Sequence, residues 1–127
     1  MTPSVTAAFD GLKKAFPNAT VTVLAEDGNG GAFVLVEGVE LGPKFTPTKT
    51  WFGAQLPASL PYADVYPVFM GAEVKRADGT ALTGPLSGVS WQNRQALQLS
   101  RRNNRMVGGQ SATAKFVKVI EFVRSLA

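Results

Sequence analysis

Four arginines towards the end of the chain, Arg94, Arg101, Arg102 and Arg105, form the densest set of chemistry-bearing side chains in the sequence. On a helix, the seven-residue step from Arg94 to Arg101 and the four-residue step to Arg105 place three guanidinium groups on one face. Guanidinium forks hold carboxylate or phosphate through paired hydrogen bonds. Such a face suits a phosphate, a nucleic-acid backbone or an acidic groove on a protein partner; a solvated helix face with local ion pairs is the reading that needs no ligand. Residues 71–127 carry nine basic and three acidic groups, a balance of +6, while the first 70 residues balance at −2. The positive field therefore belongs to the C-terminal half and favours acidic partners.

Equally informative is what the sequence lacks. It contains no cysteine, which removes disulfides, thiolate metal sites and thiol catalysis, and no histidine, the usual general base near neutral pH. A Ser/His/Asp triad is excluded. The glycine runs at 28–31 and 108–109 are not followed by Lys-Ser/Thr, so neither is a phosphate-binding loop. The stretch EDGNGG at 26–31 lacks the alternating acids and terminal Glu of a calcium loop and reads as a turn. No metal or cofactor is expected. Trp51 and Trp91 read as core or loop-packing residues rather than stacking platforms, because in the sequence neither sits among aromatics interleaved with basic residues.

The elements that must position these groups follow from periodicity. Val5, Phe9, Leu12 and Phe16 recur at helical steps, with Thr2 or Ser4 as cap and Pro17-Asn18 as stop, and Lys13 and Lys14 flank that stripe. The β-branched run at 19–24, the turn and the run at 32–38 form a hairpin; residues 48–56 make a third strand and 68–75 a short fourth. Residues 77–90, with three glycines and a proline, are expected to be a long loop. Residues 91–103 are expected to be a helix broken at 106–110. A last helix spans 111–126 with Phe116, Val119, Ile120, Val123 and Leu126 as its buried stripe. Between the third and fourth strands lies LPASLPYADVYPVFM, whose prolines forbid a helix or central strand and predict a rigid extended connector.

The order is α+β: an N-terminal helix, an antiparallel meander of three or four strands, a proline-rich connector and C-terminal helices, in one domain over residues 2–126. The N-terminus shows no signal-peptide pattern and no apolar run is long enough to cross a bilayer, so a cytoplasmic protein is the expectation.

With Pro57, Tyr62, Tyr66 and Pro67 in the connector, this order resembles the ubiquitin-conjugating enzyme superfamily. Trp91, Ser100-Arg101-Arg102 and Gly108-Gly109 are similar to features of its prokaryotic branch, found beside ubiquitin-like modifiers. The resemblance implies a surface that meets a ubiquitin-like modifier or its activating enzyme. It makes Lys13 and Lys14 on the first helix candidate contacts. It also implies a nucleophilic cysteine shortly after a glycine in the loop that follows the meander, where this chain has Gly79-Thr80-Ala81-Leu82-Thr83. Ala81 stands at the matching position. Neither Thr80 nor Thr83 replaces the thiol, because no histidine is present to take the hydroxyl proton. Asn93 is no counterpart of the family's oxyanion-steadying Asn and reads as a surface or capping residue. The expectation is a catalytically inert, partner-binding relative; the alternative is a basic nucleic-acid-associated module using the C-terminal arginines.

Overall fold

The computed structural model describes residues 1–82, 86–99 and 111–127. The N-terminal helix, α1, spans Pro3–Ala15; Thr2 caps it, its Oγ1 accepting from the Val5 amide at 3.2 Å, and Pro3 sits where a missing N–H costs nothing. Val5 and Leu12 are fully buried, with Phe9 and Phe16 half-buried on the same side. The apolar spacing thus finds its core.

Strands β1 (Thr20–Glu26), β2 (Ala32–Glu40) and β4 (Lys49–Leu56) form an antiparallel meander, joined by β5 (Val68–Gly71) beyond the connector. A two-residue strand, β3 (Phe45–Thr46), pairs with β6 (Lys75–Arg76) as a separate small ribbon. Between Val36 and Val39 the register with β4 shifts, and Gly38 takes φ +85°, a left-handed backbone that suits glycine. That extra residue turns Val39 back to the buried side.

Beyond β5 the fold departs from the sequence expectation. Residues 91–103 are not a helix at their described positions: β7 (Leu86–Trp91) and β8 (Arg94–Leu99) form a hairpin paired from Leu86↔Leu99 to Trp91↔Arg94. Its two-residue turn places Gln92 at φ 48° and Asn93 at φ 62°, the doubly left-handed turn that matches strand twist. β8 then pairs with β5, so the sheet has six antiparallel strands in the order β1-β2-β4-β5-β8-β7 rather than three or four. The expected long loop at 77–90 ends in a strand. Among the described residues one helix follows the sheet, α2 (Ala112–Arg124), capped by Ser111, whose hydroxyl accepts from the Ala114 amide at 3.1 Å.

Both helices lie against one face of the sheet. Phe116, Val119, Ile120 and Val123 of α2 and Val5 and Leu12 of α1 pack on the even-numbered residues Val34, Val36, Phe52 and Ala54. The other face carries a smaller cluster of Leu35, Phe69, Trp91 and Ala96, flanked by Phe33, Trp51 and Val89. No helix among the described residues is long and apolar enough to cross a membrane.

Candidate functional site

The connector leaves β4 at Leu56. Its first half is a pair of turns rather than extended chain, with the Leu60 amide donating to the Pro57 carbonyl at 3.0 Å and the Tyr62 amide to the Ser59 carbonyl at 2.9 Å. Only residues 64–67 run free of turns into β5. Prolines cannot donate to a ladder, so side chains fasten this segment instead. Leu60 and Val65 enter the core, and Asp64 receives Lys115 of α2, its Nζ at 2.9 and 3.2 Å from the two carboxylate oxygens. The pair is nearly solvent-free, with side-chain exposures of 4% for Lys115 and 11% for Asp64. Lys115 Nζ also lies 5.9 Å from the centre of the Tyr66 ring.

Burying two charges is costly, and removing one member of such a pair costs more than the pair itself. The ion pair therefore fixes where the connector sits on α2. Pro57, Tyr66 and Pro67 are half-buried in it. Tyr62 is not part of this packing: it is 82% exposed, which corrects its reading as a structural residue and leaves its ring free for contact.

The second segment is the turn after β6. Gly79 takes φ +89°; its amide donates to the Arg76 carbonyl at 2.8 Å, and the Arg76 amide donates to the Thr80 carbonyl at 2.9 Å. Asp78 Oδ1 accepts from the Thr80 amide at 2.9 Å and from its hydroxyl at 2.6 Å. These bonds, the Thr80 hydroxyl first, hold the Asp78 carboxyl below its usual pKa. A carboxylate stabilised in this way is a poor base. The Thr80 hydroxyl is thus locked in a local turn, not primed for attack.

Ala81 follows, exposed, with a bridge to Lys75 and its carbonyl accepting from Arg76 Nη1 at 2.6 Å. Arg76 Nε donates in addition to the Leu126 carbonyl at 2.7 Å. One guanidinium therefore ties the loop to the chain just beyond α2. Thr83 lies outside the described residues.

No family model, curated protein or solved structure matches this chain. The functional reading rests on the chain's own geometry. Of the arginine cluster, only Arg94 can be located, since Arg101, Arg102 and Arg105 lie outside the described residues. Arg94 is on a strand, so the helix face expected for it does not exist. Its guanidinium sits 5.5 Å from the Trp51 ring centre; Trp51 stacks on Trp91 at 5.8 Å, and Trp91 on Phe69 at 4.9 Å. The two tryptophans are packing residues as expected, Trp91 buried and Trp51 packed against its cluster, but they pack as part of an aromatic stack with a basic group against it. Four groups from β4, β5, β7 and β8 form one continuous stack, with a basic group at its outer end. Asn93 is a turn residue rather than a helix-surface one.

Lys13 and Lys14 are exposed at the last turn of α1, where cations favour the helix dipole. Lys13 approaches Asp10 at 3.5 Å and the Phe9 ring centre at 4.8 Å. The EDGNGG stretch is a turn as expected: Asp27 Oδ1 accepts from the Asn29 and Gly31 amides, and Gln55 Nε2 donates to Asp27 Oδ2 at 2.8 Å. Among the described residues no three acidic side chains converge as a metal set. An apolar cavity of about 230 Å³ opens between the helices and the connector, lined by Ala7, Gly11, Pro61 and Thr113.

Sequence reasoning did not anticipate the Asp64–Lys115 pair or the Trp51–Trp91–Arg94 stack. The signal for the first was an apolar helix face interrupted by a single lysine at position 115. Lysine on a buried face implies a carboxylate opposite. For the second, the signal was odd-numbered aromatics within strands, which must share the face away from the even-numbered core residues.

Proposed function

We propose that this protein is a catalytically inert relative of ubiquitin-conjugating enzymes that binds a protein partner, a ubiquitin-like modifier or its activating enzyme, in a bacterial conjugation-type pathway in the cytoplasm. The supporting frame is α1 preceding an antiparallel meander, followed by a proline connector clamped to α2. The observation that carries the inert half of the reading is Ala81. It is an exposed methyl on a loop locked by Arg76 and the Asp78–Thr80 turn, in a chain with neither thiol nor imidazole. Recognition is what remains available. Tyr62, held out by a rigid connector, and Lys13 and Lys14 on α1 are the contacts we assign, since a pre-ordered exposed tyrosine loses little freedom on binding.

Binding of a purified ubiquitin-like modifier and of its activating enzyme, read by biolayer interferometry, tests this. Tyr62→Ala should weaken the complex about tenfold or more, equivalent to about 1.4 kcal/mol. Lys13→Glu with Lys14→Glu should slow association more than it speeds dissociation. Unchanged affinity in both variants removes these contacts, and no binding by the parent chain removes the reading.

One observation favours a second reading, a single-stranded nucleic-acid module. Arg94 on the Trp51–Trp91 stack, in the basic C-terminal half, joins a cation to aromatic surface. Arg94 itself covers one side of Trp51, so a base would have to displace it. Oligonucleotide anisotropy that collapses between about 50 and 200 mM salt would favour this reading, and no binding at low salt would remove it.

A further inference from the structure

The two edges of the sheet are built differently. β1 is blunted: its register with β2 shifts between Val23 and Ala25, and its last residue, Glu26, receives the N-terminal ammonium at 2.6 Å. Bulges and charges of this kind discourage a further strand. β7, at the opposite edge, has none of them. Leu-Ser-Gly-Val-Ser-Trp holds no charge and no proline, and it keeps unbroken register with β8 over all six residues. Ser87, Gly88 and Ser90 are exposed, and a Cβ added at Gly88 would meet nothing within 4 Å. No further strand lies beyond it among the described residues.

We propose that β7 is a self-association edge, along which a second copy of this chain pairs antiparallel about a two-fold axis at Val89. Opposed residues must share a face, so the axis passes through a residue rather than between two, and Gly88 and Val89 are the central ones of the strand. With Val89 opposite Val89 of the second copy, the apolar face of Val89 and Trp91 continues across the axis. On the other face Gly88 meets Ser90 of the second copy, so small residues oppose small ones. An acidic or basic strand would repel itself in a two-fold pairing, and this one cannot. Because β1 is blunted, pairing closes at two copies and does not propagate into a fibre. Six residues a side make a small interface, so association depends on concentration. The inference stands independently of the proposed partner.

Light scattering after size exclusion of the full chain, from about 5 µM to 1 mM, reads the equilibrium. Mass should rise from 13.5 kDa towards twice that value. Gly88→Lys, at a site with open space and ordinary backbone angles, should keep the circular dichroism and melting temperature of the parent yet remain monomeric throughout. Since the chain has no cysteine, Val89→Cys offers a direct probe: under mild oxidation it should form a covalent dimer at least tenfold faster than Tyr62→Cys, which reports random collision. A parent chain that stays monomeric at 1 mM, a dimer that survives Gly88→Lys, or equal cross-linking at both cysteines would overturn the proposal.

Discussion

On the helix-bearing face of the sheet, Val34, Phe52 and Met70 lie beneath two amphipathic helices. On the opposite face, Leu35 and Phe69 are buried by Trp51 and Trp91 of the sheet itself. A second layer hides the first set, while flat side chains lying along the sheet hide the other. Gly53 makes this possible: a Cβ there would stand 2.5 Å from Trp91 Cζ3, so only glycine lets the indole settle on β4. A face covered by aromatics from several strands exposes π surface and a guanidinium, whereas a face covered by helices exposes whatever the helices carry. The two sides of the molecule therefore offer different chemistry to partners.

That contrast can be broken in steps of decreasing size. Phe52→Ala, beneath both helices, should cost about 3–5 kcal/mol in urea unfolding. Asp64→Ala should cost about 3 kcal/mol by removing the carboxylate that faces the nearly buried Lys115 ammonium, while Asp64→Leu combined with Lys115→Met should recover much of it. A double variant no more stable than Asp64→Ala would show that the connector is held by something other than the ion pair. On the other face, Gly53→Ala should cost about 2 kcal/mol by lifting Trp91, and it should change near-ultraviolet dichroism where Phe52→Val does not. Arg94→Ala should cost about 0.5–1 kcal/mol and alter Trp51 fluorescence.

The smallest effect concerns acid. Hydrogen bonds from Asn29 and then Gln55 lower the Asp27 pKa from its ordinary value of 3.8. The folded form thus holds its proton less tightly than the unfolded chain. The resulting stability is present above pH 3.8 and is lost as pH falls through the lowered value. Asp27→Asn should lower the neutral plateau of the melting-temperature profile slightly and converge with the parent at the acid end, flattening the acid limb.

Much of this architecture was written in local pattern. The helical spacing of Val5, Phe9 and Leu12, the glycine-rich turn between two β-branched runs, and the stripe from Phe116 to Val123 each state their element within a dozen residues. The hairpin of β7 and β8 was hidden because its turn is Gln92-Asn93, without the glycine that usually marks such a turn, and because Gln, Ala and Leu at 95–99 favour helix in isolation. Pairing with β5 overrides that preference. The site was less legible still. Trp51 and Trp91 are forty residues apart and meet only through the register of four strands, and Asp64 finds Lys115 across 51 residues. The turn at Gly79, by contrast, was legible from that glycine alone, since a turn residue fixes its own neighbourhood.

The measurement that bears most directly on inert recognition is intact-mass analysis after incubating the parent chain with an activating enzyme, adenosine triphosphate and a ubiquitin-like modifier. Native-mass conditions should show a non-covalent complex, and denaturing conditions should show the unmodified chain alone. A hydroxylamine-sensitive adduct on a threonine hydroxyl, or no complex under either condition, would contradict the account.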